Sequence, residues 1–425
     1  MMAVSKSVRV RQLAWYGDTE VELGFPDSWE VVPYLMKGYE AAPISADALK
    51  RAFANPIGTP TIRELARGKK EVVIIFDDMT RPTNVAELVP YVLKELEEAG
   101  IPDSNIRFIP GLGAHGALNR MEMVQKLGEA TVERFPVYNH NPYDNCTDLG
   151  KTSRGTPVSI NSEVMACDLK IAIGAIVPHW SAGFGGGAKL VVPGVASMET
   201  IWANHHDVGG RDKPTKGSPL GKLHHTVGLG KAEGNVIRLD MEEICRMVGL
   251  DVIVNVLVNG KRESVAAYVG DVVAAHREGL KMAQAHYATP FADDADISIT
   301  NAYSKASEAM IAFRFGASYV KKNGGALVLI ANTPSGQVTH YLSGAFGKAL
   351  GGKLWGKRQL PENVKKFIVL TSYIDRGAGA WLGPAEDIIW AKTWEEVLSE
   401  LRRDYPGHAK VAVIPDGTIQ YCPSQ

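Results

Sequence analysis

The chain is predicted to be an α/β protein of two domains, each a largely parallel sheet flanked by helices, with a functional site in the cleft between them. Three observations predict it. From Thr61 onward, short runs rich in Val and Ile alternate with longer helical patterns, as in chains that fold into parallel sheets. The length, 425 residues, is more than one hydrophobic core usually organises. Four polar loops, Asp77–Asn84, Pro110–Gly116, Pro178–Gly187 and Asn301–Lys305, come directly after apolar strands, where open α/β sheets carry their ligands. That placement predicts that one cleft collects Asp78, Arg81, His115, His179 and Lys189.

The elements follow in order. Val8–Leu13 and Val21–Phe25, with turn signals at Gly17-Asp18 and Pro26-Asp27, predict a hairpin and an extended arm. Ser45-Ala46-Asp47 opens a helix over 46–56. A helix over Ile62–Arg67 leads into a strand over Glu71–Phe76, and the loop DDMTRPTN precedes a long helix, Val85–Ala99. A strand over Ile106–Ile109 runs into PGLGAHG and a helix over Leu118–Leu127. After a polar stretch the strand Leu169–Ile176 meets a glycine-rich turn, and a helix spans Met198–Ala203. The segment GGRDKPTKGSPLG reads as an exposed loop. Then come a helix over Met241–Met247, a strand over Asp251–Val258 and a long helix over Gly270–His286. ATPFADD, Ala288–Asp294, reads as a linker. A second series follows: strand Asp296–Thr300, helix Glu308–Val320, strand Ala326–Ala331, strand Phe367–Thr371, helix Glu395–Arg402 and strand Lys410–Ile414. The domain boundaries expected are 1–288, 289–405, and a C-terminal strand region over 406–425 that could return to the first domain.

Composition excludes several classes. Lys+Arg number 46 and Asp+Glu 47, a formal net charge of −1, so no global field draws nucleic acid or an anionic membrane. The four cysteines are far apart, without a zinc spacing. The N-terminus has no apolar core of a signal peptide, and no run of 18 apolar residues exists. A cytoplasmic protein is expected, and a homo-oligomer is compatible with it.

The loops carry the chemistry. Gly183–Lys189, GFGGGAK, resembles a phosphate cradle, because glycines let backbone N–H groups approach an anion. It is not a Walker A loop, since Ala188 precedes the lysine and Leu190 follows it. A plain flexible turn is the bland alternative. Gly111–Gly116 fits G-x-G-x-x-G between a strand and a helix, the dinucleotide fingerprint, but a histidine sits inside it and no acidic strand end follows at the required distance. His115 and His179 lie in post-strand loops and can exchange protons near neutrality. Arg81 suits bidentate binding of a carboxylate or phosphate. Asp78 could orient a histidine, bond a ribose hydroxyl, or cap a helix. His205 and His206 end a helix and face different ways, so one imidazole could ligate a metal without the other. His224-His225 is assigned no role.

The combination DMTRP, GLGAHG, PHWSAGFGGGAK followed by LVVPG, and WANHH resembles the nickel-pincer lactate racemase family. The similarity covers most of the first 290 residues and continues more faintly beyond. It implies a racemase or epimerase inverting C2 of a 2-hydroxy acid by proton-coupled hydride transfer. The cofactor implied is a nickel pincer nucleotide, a pyridinium-3-thioamide-5-thiocarboxylic acid mononucleotide carrying nickel. By motif, Lys189 would be its covalent attachment, His205 the nickel ligand, and His115 and His179 the acid and base. Asp78 and Arg81 would contact cofactor or substrate, and Gly185, Gly186 and Gly187 would let the backbone pass close to the cofactor. The partners implied are a small 2-hydroxy acid and the proteins that build the cofactor.

One departure bears on the substrate. Lactate racemases of this family carry a Tyr-Gln-Ala-x-Lys-like run after the loop that here reads NAY. In this chain Met310 and Ile311 stand for the Tyr and Gln, and Arg314 for the Lys, with Lys305 close by. A 2-hydroxy acid other than lactate, larger, more acidic or a sugar acid, is at least as well matched. Trp381 would help shape its pocket. The rival readings are an NAD-dependent 2-hydroxy acid dehydrogenase, resting on GLGAHG, and an inactive homologue that binds a nucleotide or metal.

Overall fold

The structure is a computed structural model that describes residues 6–210, 223–342, 359–376 and 382–423. The secondary structure in chain order is β1 Ser7–Gln12, β2 Thr19–Gly24, β3 Trp29–Pro33, α1 Ala46–Ala54, α2 Ile62–Ala66, β4 Val72–Asp77, α3 Val85–Glu98, β5 Ile106–Gly111, α4 Arg120–Leu127, α5 Glu129–Arg134, β6 Cys146–Lys151, β7 Pro157–Asn161, α6 Ser162–Ala166, β8 Leu169–Ala175, β9 Pro178–His179, β10 Gly183–Phe184, α7 Met198–Trp202, α8 Val236–Val248, β11 Val252–Val258, β12 Ser264–Gly270, α9 Ala274–His286, β13 Ile297–Asn301, α10 Met310–Ala317, β14 Gly325–Ile330, β15 Val364–Leu370, β16 Ile388–Ala391, α11 Trp394–Asp404 and β17 Ala409–Ile414.

The chain forms two compact units. One comprises Met1–Tyr39, His286–Val338 and Trp355–Gln425, the other Glu40–Ala285 and Thr339–Leu354. The expected first domain, 1–288, differs from the observed division in its first 39 residues, which belong to the C-terminal unit. The physical reason is strand pairing. β3 runs parallel to β17, with Val31 opposite Val411. Trp29, Val8, Val10 and Leu23 are buried in the same apolar cluster as Ile297, Val328 and Val413. The first 39 residues belong to the core of the C-terminal half, and β17 is a central strand there rather than a returning tail. Nothing in the weak alternation of the first 45 residues says which sheet they join.

The sheet of the second unit has the order β12-β11-β8-β4-β5. β4, β5, β8 and β11 are parallel, and β12 adds one antiparallel edge. β4, β8 and β11 are buried at every position. That is why they read as continuous apolar runs rather than alternating ones. Register brings Asp77 beside Gly111, and Phe76 beside Ile173. The loops after β4, β5 and β8 thus leave the sheet at one level. From β4 the chain moves to β5 on one side, and from β8 to β11 on the other, so the topological switch point lies between β4 and β8.

The other unit has the order β16-β15-β14-β13-β17-β3, all parallel. Its own switch point lies between β13 and β17. The hairpin of β1 and β2 is as the sequence predicts. No helix of the described residues is long and apolar enough to cross a membrane.

Candidate active site

At the end of β4 two adjacent aspartates have different duties, both buried. Asp77 is structural. Its carboxylate lies 2.8 Å from Lys126 Nζ and accepts from Thr83 Oγ1 at 2.5 Å and from the Ala175 amide at 3.2 Å. Lys126, from α4, also donates to the carbonyl of Arg81 at 2.9 Å, so it ties the loop after β4 to the strand. Burial lowers the pKa of Lys126, and Asp77 opposes that shift.

Asp78 faces the loop after β5. Its Oδ1 accepts from the Thr80 amide at 3.0 Å and from Thr80 Oγ1 at 2.5 Å. Its Oδ2 lies 2.5 Å from His115 Nδ1. Burial works against ionisation of Asp78, but His115, Arg81 and Thr80 together outweigh it and hold the carboxyl well below the usual carboxylate range. An ionised Asp78 only accepts, so His115 carries its proton on Nδ1 and leaves Nε2 with a lone pair. Arg81 is half-buried, and its Nη1 donates to Thr80 O at 3.0 Å and Thr80 Oγ1 at 2.7 Å.

His115 has a further neighbour that the sequence did not flag. His340 packs edge-on against it, ring centroids 5.0 Å apart. The backbone holds the pair together, because Tyr341 N donates to Ala114 O at 2.7 Å and Gly116 N to Thr339 O at 3.0 Å. The glycines of GLGAHG have a packing explanation. A Cβ on Gly113 would lie 2.8 Å from Pro193 and one on Gly111 3.3 Å from Gly194. The helix that follows starts only at Arg120, and Asn119 and Glu122 already close its N-terminus as a capping box. A dinucleotide pyrophosphate would need that terminus open.

The loop after β8 is a tight hairpin in which Gly183 pairs with His179. His179 Nδ1 accepts from the amides of Ser181 and Ala182 at 3.2 and 3.3 Å. Side chains behind the loop hold its backbone. Asn235 Nδ2 donates to Ser181 O at 2.8 Å, Arg238 Nε to Ala182 O at 3.2 Å, and a further guanidinium N–H of Arg238 to Phe184 O. His276 Nε2 lies 2.9 Å from Gly185 O, and Asn255 Oδ1 accepts from Gly187 N at 2.7 Å. Burial and the nearby Arg238 push the His276 pKa well down, so His276 is neutral and donates from Nε2.

The three glycines are explained by this packing. Gly186 and Gly187 have φ of 68° and 55°. A Cβ on them would lie 2.7 Å from Asn255 and from the His276 ring, respectively, and one on Gly185 3.2 Å from Ala175 O. Their bare faces turn to protein, and the amides of Gly185 and Gly187 are taken by Val177 O and Asn255. Lys189 is buried on the single helical turn Gly187–Leu190.

His205 lies on a π-helical segment, Ala203–Val208, that continues α7. One inserted residue re-aims a side chain, and such turns gather at functional positions. Asn204 anchors this turn, donating to Asp240 Oδ2 at 2.8 Å and to Ile237 O at 3.2 Å. His206 turns elsewhere, stacked on Trp202 at 4.3 Å and bonded to Asp207 at 2.7 Å. Among the described residues no three His, Cys, Asp or Glu side chains are arranged to hold a metal ion, and His205 would supply a single imidazole.

The structure therefore brings Asp78 and His115 into direct contact, with Arg81 bonded to Thr80, which itself donates to Asp78. It sets His179, Gly185–Gly187 and Lys189 on the neighbouring loop across the switch point, with Gly113 N bonded to Gly194 O at 2.8 Å between the loops after β5 and β8. Lys305 and Arg314 belong to the other unit. Lys305 is buried at that unit's switch point, its amide donating to Thr418 Oγ1 at 3.2 Å. Arg314 shares a half-buried face of α10 with Met310 and Ile311, opposite the buried Ala312, Phe313, Phe315, Gly316 and Ala317. Trp381 lies outside the described residues. Sequence reading passed over Thr80, Lys126, Arg238, Asn255, His276 and His340. Each is an ordinary polar residue in its own element, and only the fold reveals its partner.

Comparison with known proteins bears on this geometry. Residues 16–217 match the lactate racemase N-terminal domain. The chain is 32% identical over 292 residues to a lactate racemase of Thermoanaerobacterium thermosaccharolyticum, covering 67% of this chain and 65% of that protein. It is 32% identical over 301 residues to one of Lactiplantibacillus plantarum, covering 68% and 66%. The matches thus span just under two-thirds of these relatives' lengths. The structure of the lactate racemase apoprotein from T. thermosaccharolyticum superposes with a TM-score of 0.70 at 25% identity, covering 98% of this chain and 100% of that one. A Thermotoga maritima protein shares the fold, with a TM-score of 0.59 at 17% identity, covering 86% and 99%. The chain thus carries the lactate racemase N-terminal domain over residues 16–217 and shares the fold of a lactate racemase apoprotein along nearly its whole length.

Proposed function

We propose that this chain is a racemase or epimerase that inverts C2 of a 2-hydroxy acid, working with a nickel pincer nucleotide tethered to Lys189. The observation that carries the reading is the buried Asp78–His115 pair, 2.5 Å apart, on the loops next to the one that bears His179 and Lys189. The match to the lactate racemase N-terminal domain and the similarity to two lactate racemases support the reaction class. The side chains present suit such a group. Lys189 is buried on the turn that follows the three glycines, where an uncharged thioamide link would be sheltered from water. His205 offers an imidazole, a donor that borderline nickel accepts. When bound, the group supplies a two-electron acceptor for the C2 hydrogen.

The protein's own residues do the rest. Arg81 takes the substrate carboxylate through its planar fork of N–H donors. His115 Nε2 takes the hydroxyl proton, and Asp78 stabilises the imidazolium that forms. His179 is the second histidine serving that oxygen. Met310, Ile311 and Arg314, in place of the family's Tyr, Gln and Lys, favour a substrate other than lactate, with Arg314 and Lys305 as the cations that would meet it. The cofactor's biosynthetic proteins are the partners this reading requires.

The test is protein made with those biosynthetic enzymes present, examined by intact mass and nickel content and assayed against a panel of 2-hydroxy acid enantiomers. A covalent adduct lost in Lys189→Ala, nickel lost in His205→Ala, and interconversion of one enantiomer pair are expected. A mass without adduct together with NAD-dependent oxidation of a 2-hydroxy acid would replace the reading with a dehydrogenase. Adduct and nickel without turnover of any substrate would leave a binding protein.

A further inference from the structure

We infer that Gln337 is a positioning residue: its carboxamide sets the first turn of α10, and with it the placement of Met310, Ile311 and Arg314 on the helix face offered to the substrate. The bracket itself stands on hydrogen bonds within one unit; its bearing on the substrate rests on the racemase reading above.

The start of α10 is not written in its own residues. A helix leaves its first N–H groups without partners, and a Ser, Thr, Asp or Asn at the N-cap commonly accepts one of them. Here that position is Ala309, which has no such oxygen and already has helical dihedrals, φ −54° and ψ −22°. The chain arrives from a single 3-10 turn, Ala306–Glu308, whose own N-cap, Lys305, makes no side-chain cap bond either. Nothing local therefore marks where the turn ends and the helix begins.

Gln337 supplies the mark from the loop after β14. Its Oε1 accepts from Ala309 N at 2.9 Å, and its Nε2 donates to Ala306 O at 2.9 Å. These two backbone groups are the ones that would bond each other if the 3-10 turn continued. The carboxamide stands between them as one more peptide group, and it can do so because it carries a donor and an acceptor on the same carbon.

The bracket is held from behind. Gln337 N donates to Asp375 Oδ2 at 3.2 Å, and Val338 N donates to Ser307 O at 2.9 Å. Gly336 N closes a turn onto Thr333 O at 3.1 Å. Gly336 has φ of 71°, and a Cβ there would lie 2.9 Å from the same Asp375 oxygen. Three successive loops thus meet: the one before α10 follows β13, Gln337 follows β14, and Asp375 follows β15. These strands are parallel neighbours, and β13 flanks the switch point of its sheet, where open α/β folds place a ligand off the carboxyl ends.

The far end of α10 has a matching clamp. Asn363 Nδ2 donates to Ala317 O and to Val320 O, both at 2.9 Å. The buried Ala312, Phe313, Phe315, Gly316 and Ala317 seat the helix on the sheet. Met310 and Ile311 each share a helix face with Arg314, and they lie in the turn that Gln337 sets and Asn363 does not reach. A displacement of about 1 Å in groups that orient a substrate is costly. A group that fixes binding alike in ground state and transition state shows in KM, with kcat left nearly unchanged.

The two clamps make a matched test. Hydrogen exchange resolved by peptide, on the whole chain without cofactor, is the first arm. Gln337→Met should speed exchange over 306–312 while 315–320 stays as it was, and Asn363→Ala should do the reverse. Unchanged exchange over 306–312 in Gln337→Met overturns the inference. The second arm uses protein loaded with the proposed cofactor and the enantiomer pair that the panel identifies. Gln337→Met should raise KM by about tenfold with kcat within about threefold, and Asn363→Ala should leave KM within about twofold. Gln337→Glu keeps an acceptor for Ala309 N and loses the donor to Ala306 O, so its KM should fall between those of Gln and Met. An unchanged KM in Gln337→Met, or equal rises in Gln337→Met and Asn363→Ala, overturns the positioning role, because the helix would then only have been loosened. Absence of racemisation in the unsubstituted, loaded protein removes the racemase reading and the substrate role with it, and the bracket then stands or falls on exchange alone.

Discussion

Asp78 is a carboxylate kept ionised in a place where burial alone would protonate it. Thr80, Arg81 and His115 all bear on it, and its ionised state fixes the His115 ring. Asp78→Asn keeps the volume and removes the charge that stabilises a His115 imidazolium. In protein loaded with the proposed cofactor, kcat is expected to fall by about a hundredfold or more with little change in KM; a fall of less than threefold would mean that His115 does not rely on Asp78. His140 tells a different story at the same scale. It is buried, donates from Nε2 to Ala196 O at 2.9 Å and accepts at Nδ1 from Asn161 at 3.2 Å, so the neutral ring is fully satisfied. Burial pulls its pKa down from 6.5 to about 4, with only the Ala196 carbonyl opposing. The sign follows from linkage. The folded pKa is below the unfolded one, so the contribution is fully present above pH about 6.5 and is lost as pH falls toward about 4, amounting to about 3 kcal/mol. Thermal unfolding followed from pH 7 to 4 should show that loss, and His140→Gln should flatten it. An unchanged slope in the variant would place the acid sensitivity elsewhere.

At the scale of elements, the strands around the site were legible because three of them are buried on both faces and read as unbroken apolar runs. The loops were legible as candidate sites because they follow those strands. What the sequence did not disclose is how the loops are held. Lys126 lies in a helix whose one-letter string looks like a surface face, and its partner Asp77 is 49 positions away by number but adjacent in space. No pattern within either element links them. The same holds for Arg238, Asn255 and His276, which grip the glycine-rich loop from α8, β11 and α9. The glycines were noticed for their backbone freedom, and the protein atoms that a Cβ on Gly186 or Gly187 would meet belong to Asn255 and His276. Lys126→Met tests the bracing. It leaves the Asp77 carboxylate buried without its cation, a loss of about 3–5 kcal/mol. Lys126→Met with Asp77→Asn, which removes the stranded charge, should recover part of it. Denaturant titrations of the two variants measure the difference, and equal stabilities would mean that Asp77 is solvated after the lysine is lost.

For the whole molecule, the alternation of strands and helices disclosed two parallel sheets but not the partition of the chain between them. β3 is only Trp29–Pro33, short and ending in proline, and it pairs with a strand at the far end of the sequence. Long-range pairing of that kind leaves no local trace, whereas β4 to β5 and β13 to β14 are neighbours along the chain as well as in space. The consequence for stability is specific. Trp29 is buried in the cluster with Ile297, Val328 and Val411, and its ring lies 6.5 Å from Phe25. Truncating a buried Trp to Ala costs about 3–5 kcal/mol through lost burial and the cavity left behind. Trp29→Ala should therefore weaken the sheet of the C-terminal half although the substitution lies near the N-terminus. Hydrogen exchange resolved by peptide is the measurement. Faster exchange is expected in β13, β14 and β17, with β4 and β8 protected as before. If β4 and β8 open by the same amount, the two units unfold as one, and the discontinuous division of the chain has no counterpart in its energetics.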